Sequence, residues 1–175
     1  MPRIKVRPLI FNNDHVLVRL TKNAFAKIDI GDAALIGSRN WQYSKGYATR
    51  KGDRSIGEPY RVYMHRLINK TPAGMFTDHI NMDRLDNRKR NLRDATYQQN
   101  VANTSKKGGF RSSKYKGVNL DKNRKGLWVA KICFNRKYQH LGRFKNEVDA
   151  ARAYDVAALK LFGVYARPNF LQEAV

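Results

Sequence analysis

One cysteine, Cys133, stands in the 175 residues, so an intrachain disulfide and a cysteine-built zinc site are both excluded. No apolar run approaches the ~20 residues needed to cross a bilayer, and no basic amphipathic stretch is long enough for an interfacial anchor. A secretory signal is also missing, which leads us to expect an intracellular chain with no membrane partner. Acidic residues are few: 14 stand against 35 lysines and arginines, leaving a net charge of +21 at pH 7. Basic residues outnumber acidic ones in the N-terminal, middle and C-terminal parts alike, so the excess is not a tail. Such a surface calls for a polyanion, and it would follow the phosphates of a duplex by counterion release, with salt-sensitive binding.

The most informative stretch that is present runs from Asp78 to Asn100, DHINMDRLDNRKRNLRDATYQQN. Asp78 and His79 are adjacent, Asn91 follows after a turn-rich loop, and Asn100 follows at the start of an expected helix. These residue types suit phosphodiester hydrolysis. The substrate's negative charge repels hydroxide, so water must be deprotonated in place and the charge on the phosphoryl oxygens neutralised. A neutral histidine with an ordinary pKa of about 6.5 can take the proton. A hard divalent cation, Mg²⁺ or Mn²⁺, prefers oxygen ligands, which Asp78 and Asn100 would supply.

Local pattern supplies a scaffold for this set. Met75, Phe76 and Thr77 read as a short strand leading into Asp78 and His79, and residues 81 to 90 read as a wide surface loop without apolar period. Asn91, Leu92 and Arg93 read as a returning strand, and Thr96 with Gln99 as a capping box opening a helix. In this reading Asn91 braces the loop and the imidazole. His65, among Tyr63, Met64, Leu67 and Ile68, reads as a half-buried helix residue suited to packing or to a phosphate contact.

The segment resembles the motif of HNH endonucleases, whose ββα-metal fold is shared by many phage and mobile-element homing nucleases. The resemblance implies His79 as general base, Asn91 in the middle orienting position, and Asp78 with Asn100 on a single Mg²⁺ or Mn²⁺, with no zinc. Asn100 replaces the final histidine of the name, as in some nicking members. Met82 stands where relatives often carry glycine. YMHRLI, with His65, is similar to a short helix that these proteins carry before the motif.

Gly, Ser and Lys between about residues 103 and 114 read as a linker. Beyond it, runs at 115–120, 127–134 and 138–144 read as a three-stranded meander. A helix with Asn146 as N-cap and Gly163 as its stop should follow, with Ala-rich spacing suited to close packing on the sheet. YKGV at 115–118, WVAKI at 128–132, LGRF at 141–144, AARAYD at 150–155 and NF at 169–170 resemble the AP2/ERF DNA-binding domain. That resemblance implies that the sheet, with Lys116, Asn119, Lys131, Tyr138, His140 and Arg143, reads the major groove of double-stranded DNA. Asn119, Cys133 and Tyr138 replace arginines of plant members, so the plant target sequence does not carry over.

The expected fold is α+β: a β-rich leading module over 1–60 that frames the nuclease, the HNH ββα-metal core over 61–104, a linker over 105–113 and an AP2-like domain over 114–171. The function this implies is a metal-dependent homing-type DNA endonuclease in a bacterial or phage-host cytoplasm, acting as a monomer without a protein partner. A DNA-binding regulator retaining a worn HNH scaffold is the first alternative, and a basic RNA-associated protein the second.

Overall fold

The computed structural model describes residues 6–105 and 112–170. It is a mixed α+β structure of several small antiparallel sheets and few helices. The chain divides into two compact units, Met1–Ala95 and Thr96–Val175. Residues 106–111, where most of the expected linker falls, lie outside the described residues.

In the first unit, β1 (Leu9–Phe11), β2 (Val16–Arg19) and β3 (Phe25–Ile28) form an antiparallel sheet in that order. Val16 and Val18 alternate with Leu17 and Arg19, and the period of two turns the valines, with Ala26 and Ile28 opposite, into the core. After a short helix, α1 (Ala33–Gly37), come β4 (Gln42–Ser44), β5 (Tyr47–Lys51) and β6 (Arg61–Tyr63) as a second sheet. Lys45 and Gly46 join β4 to β5 with φ of 49° and 89°, the left-handed pair that a two-residue hairpin requires. Next are α2 (Met64–Asn69) and the antiparallel pair β7 (Phe76–His79) and β8 (Leu92–Ala95).

A single cluster of buried side chains runs from Val16 through Trp41 and Val62 to Leu92. Trp41 is 2% exposed, and its indole N–H donates to the Ile36 carbonyl at 3.0 Å. Residue 60, the expected edge of the leading module, falls between two strands of one sheet, because β5 pairs with β6. The reason is size. The segment around Asp78 is too short to bury a core of its own, so it shares one with the strands before it.

Those strands also grip the loop after β7. Lys27 N–H donates to Leu85 O and Asn87 N–H to Lys27 O, both at 2.8 Å. Asp29 accepts from Lys89 N–H at 2.7 Å, and Asp32 pairs with the Lys89 ammonium at 3.2 Å. The expected wide surface loop is therefore tied to the residues that precede it. Asn81 and Asp83 accept from the backbone N–H two residues on, at 2.8 and 3.0 Å, the self-bonding turns that short polar side chains favour.

The second unit begins with α3 (Tyr97–Ala102), opened by the Thr96–Gln99 capping box. Its sheet has the order β11-β10-β9, with β9 (Val118–Leu120), β10 (Trp128–Phe134) and β11 (Lys137–Phe144). α4 (Glu147–Phe162) packs its alanines on the sheet, burying Val118, Ala130 and Ile132. Asn146 caps α4 by accepting from Val148 N–H at 2.8 Å, and Glu147 and Asp149 occupy its positive first turn. Among the described residues, no helix is long and apolar enough to cross a membrane.

Candidate functional site

β7 ends on Asp78 and His79, and β8 returns so that Arg93 lies opposite Asp78 and Leu92 opposite His79. Both site residues are buried. Arg93 donates to Asp78 Oδ2 from Nε at 2.8 Å and from Nη2 at 2.7 Å. This two-point, charge-assisted grip fixes the carboxylate and offsets its desolvation.

The His79 imidazole is held differently. Its Nε2 lies 3.1 Å from Oδ1 of Asn87, a residue with no exposed surface. Asn87 Nδ2 donates to Leu85 O at 3.3 Å and to the Met64 sulfur at 3.5 Å, so Oδ1 must be the acceptor. In the neutral ring the proton therefore sits on Nε2, and Nδ1 is the basic nitrogen. Burial pushes the His79 pKa below the usual histidine range, against smaller upward pulls from the Asn87 hydrogen bond and the Asp78 charge. The ring is accordingly neutral at pH 7.

Asn91 braces the loop. Its Oδ1 accepts from Asn81 N–H at 3.0 Å, and its Nδ2 donates to Asp86 O at 2.7 Å. Its carbonyl also accepts from Ile80 N–H at 2.9 Å. Asp86 in turn receives two bonds from the Arg88 side chain, each 2.8 Å, and Arg88 holds its carboxyl below the ordinary aspartate range. The two halves of the role expected of Asn91 are thus divided: Asn91 ties the loop, and Asn87 makes the hydrogen bond on the imidazole. Nothing in the sequence singles out Asn87 except that the Asp86-Asn87 pair stands between Arg84 and Arg88. From sequence alone Arg93 reads only as a strand residue. Its carboxylate partner follows from the register of the hairpin.

Aromatic rings complete the surroundings. His65, in the first turn of α2, sits 5.0 Å from the His79 ring at an interplanar angle of 67°. Tyr47 at the start of β5 is 5.1 Å from His65 and 6.2 Å from His79, and the Arg84 guanidinium lies 4.7 Å over the Tyr47 ring. Burial pushes the His65 pKa down to about 3, and its Nδ1 is buried without a hydrogen-bond partner among the described residues. Asn100 lies half-buried on α3, in the second compact unit. The first unit thus brings together Asp78, His79 and Asn91.

In the second unit, Ala130 and Ile132 face α4, so Val129, Lys131 and Cys133 face away from it. Opposite them stand Asn119 and Arg143 across from Val129, His140 across from Lys131, and Tyr138 across from Cys133. Residues directly opposite share a face, so Asn119, Lys131, Tyr138, His140 and Arg143 lie on one exposed surface. Asp121 anchors Arg143 at 2.6 Å. Lys116 stands apart. The strand begins at Val118 rather than Tyr115, Val118 points into the core, and the half-buried Lys116 ammonium donates to Ala102 O at 2.5 Å. Desolvation pushes its pKa down to about 8.

Over 155 residues, 85% of this chain and 76% of the relative, the sequence is 30% identical to the uncharacterized HNH endonuclease L560 of Acanthamoeba polyphaga mimivirus. The chain belongs to the HNH endonuclease family. It is also 48% identical over 61 residues to APETALA2-like protein 2 of Oryza sativa subsp. indica. A third match is 42% identical over 60 residues to the AP2-like ethylene-responsive transcription factor At1g16060 of Arabidopsis thaliana. These plant matches take in 34% and 33% of the HNH chain, which spans only 14% and 17% of the plant proteins. No family profile matches the chain.

HNH nucleases generally use a divalent metal. Among the described residues, no group of three or more His, Cys, Asp or Glu side chains could hold one. Of the two oxygen donors expected from the sequence, Asp78 belongs to the first unit and Asn100 to the second; a carboxylate and an amide oxygen are donors of the kind a hard cation takes. A cation at Asp78 would share the carboxylate with Arg93.

Proposed function

We propose that this HNH chain is a metal-dependent DNA endonuclease of the homing type, in the ββα-metal arrangement, that hydrolyses a phosphodiester of duplex DNA while its AP2-like sheet holds the duplex. The observation that carries this reading is the His79 imidazole, neutral, buried beside Asp78 and fixed by Asn87 with its basic nitrogen on Nδ1. In the reaction, His79 Nδ1 takes a proton from a water as the water oxygen attacks phosphorus in line with the 3′-oxygen. The bond from phosphorus to the 3′-oxygen then breaks, leaving a 5′-phosphate and, after protonation by solvent, a 3′-hydroxyl. Asp78, with Asn100 on the sequence pattern, would hold the Mg²⁺ or Mn²⁺. When bound, the cation supplies charge neutralisation at the phosphoryl and leaving oxygens. Asn91 keeps the loop closed around the strand end, and Asn119, Lys131, Tyr138, His140 and Arg143 meet the DNA. Lys116 joins them only if its bond to Ala102 is given up.

A single HNH site cuts one strand at a time, so the monomer nicks, in the cytoplasm of a bacterial or phage-infected host. The Arg93 grip on Asp78 favours a second reading, a DNA-binding regulator whose HNH site no longer cuts. Plasmid nicking with Mg²⁺ or Mn²⁺ that is lost in His79→Ala, at unchanged DNA affinity, supports the nuclease. Binding without cleavage by the wild type supports the regulator.

A further inference from the structure

Arg84, exposed in the loop between β7 and β8, carries a positive charge beside the site that no described carboxylate pairs with. The other arginines around it are engaged: Arg93 with Asp78, Arg88 with Asp86, Arg50 with Glu58, and Arg66 with Met75 O at 2.8 Å. The Arg84 guanidinium lies 4.7 Å over the Tyr47 ring, and that ring is 6.2 Å from His79 and 5.1 Å from His65. Its charge reaches both imidazoles, where it adds to the larger downward pull of burial on each pKa.

The fold fixes this placement. Asp83 N–H donates to Asn81 Oδ1 at 2.8 Å and Leu85 N–H to Asp83 Oδ1 at 3.0 Å, while Leu85 O accepts from Lys27 N–H at 2.8 Å, so the backbone on either side of Arg84 is tied. The side chain crosses the Lys45–Gly46 turn closely: a Cβ at Gly46 would stand 3.5 Å from both its Cδ and its Nη1. A guanidinium over an aromatic ring keeps its charge and its planar fork of N–H donors. The anions that such a fork fits are those with paired oxygens, carboxylate and phosphate. In a chain of net charge +21, next to a neutral buried histidine, the matching anion is a phosphodiester with its two non-bridging oxygens.

We propose that Arg84 is the phosphodiester-binding residue beside His79, its guanidinium steadied by Tyr47 and donating to the non-bridging oxygens. A donor fixed there before reaction stabilises negative charge as it builds on the phosphoryl group. For rate this rests on the nuclease reading; the binding of a phosphodiester anion does not.

The test compares the full-length wild type with Arg84→Lys, which keeps the charge without the fork, and Arg84→Gln, which loses the charge. Arg84 is exposed, so both variants spare the core. DNA affinity is measured in EDTA. Cleavage is followed with Mn²⁺ in two ways: single-turnover nicking of plasmid at saturating protein, and hydrolysis of bis(4-nitrophenyl) phosphate, which offers one phosphodiester and no flanking backbone. In Arg84→Gln both rates fall together, by about 10²-fold and by more than DNA affinity does, and Arg84→Lys lies between. A loss confined to DNA affinity, with the saturated rates unchanged, would overturn the proposal, since Arg84 would then be one cation of the general basic surface. Where only the plasmid is cut, its saturated rate decides. A wild type that cuts neither substrate removes the nuclease reading, and the Arg84 Nε–H signal, titrated with dimethyl phosphate in EDTA, then decides. A saturable shift larger than that of the exposed Arg54 supports the site, and one no larger overturns it.

Discussion

Asn87 and His65 lie against His79, and each makes a prediction at the scale of single residues. Asn87→Ala removes the acceptor on Nε2 and opens a hole beside Met64, so stability should drop by about 1–3 kcal/mol in urea denaturation. Nicking should fall further than DNA affinity does. The buried histidines also make stability depend on pH. His65 titrates near 3 when folded and near 6.5 when unfolded; its folded pKa is the lower, so its contribution is fully present above about 6.5 and is lost as pH falls toward 3. Melting temperature should therefore decline from pH 7 to pH 4, beginning above the range where carboxylates titrate. In His65→Phe the early part of that decline should shrink, and an unchanged profile would contradict the buried, neutral state of His65. At this scale the sequence was legible for placement: Asp78 and His79 stand at a strand end and Asn91 braces the loop. It was not legible for Asn87, Arg93 and Tyr47. Their roles arise from strand register and from a hairpin remote in sequence, neither of which leaves a local pattern.

Elements were easier to read where a local signal ends them. The capping box at Thr96 and Gln99 and the caps of α4 at Asn146 and Gly163 all stand in the structure. An alternating pattern extends β9 back to Tyr115, whereas in the structure the strand begins at Val118 because Gly117, at φ 76°, turns the chain there. A Cβ at Gly117 would lie 1.9 Å from the Tyr154 ring. Gly117→Ala should thus destabilise the protein by about 1–2 kcal/mol from left-handed backbone alone, with the clash adding to it, as measured by chemical denaturation. Thr96→Ala, which removes one half of the capping box, should cost about 0.5–2 kcal/mol. Met82 adopts φ 65°, a left-handed conformation that glycine takes without steric cost, so Met82→Gly should leave stability equal or slightly raised. A loss would mean that the Met82 side chain contributes packing that outweighs its backbone conformation.

For the whole molecule, charge and the division into units matter most. Where the expected modules met at residue 60, tertiary pairing between β5 and β6 and one continuous core join the two stretches. Sequence pattern could not show this, because each strand is only three to five residues long and carries no sign of its partner. Net charge was fully legible, and at +21 it predicts DNA affinity that falls steeply with salt, by about 10³–10⁵ between 50 and 200 mM if roughly 6 to 10 phosphates are neutralised. A flat response in a salt titration would separate binding from the basic surface. The central claim, that His79 is the base of a metal-dependent nuclease, is tested most directly by supercoiled plasmid in Mg²⁺, Mn²⁺ or EDTA. Wild type, His79→Ala and an Asp78→Ala, Asn100→Ala double variant are compared at matched DNA binding. The account predicts nicked circles with either metal and none in EDTA, and a rate reduced by about 10²–10⁴ in His79→Ala and lost in the double variant. Cleavage that survives both sets of substitutions, or a wild type that binds DNA and never cuts it, would contradict the account.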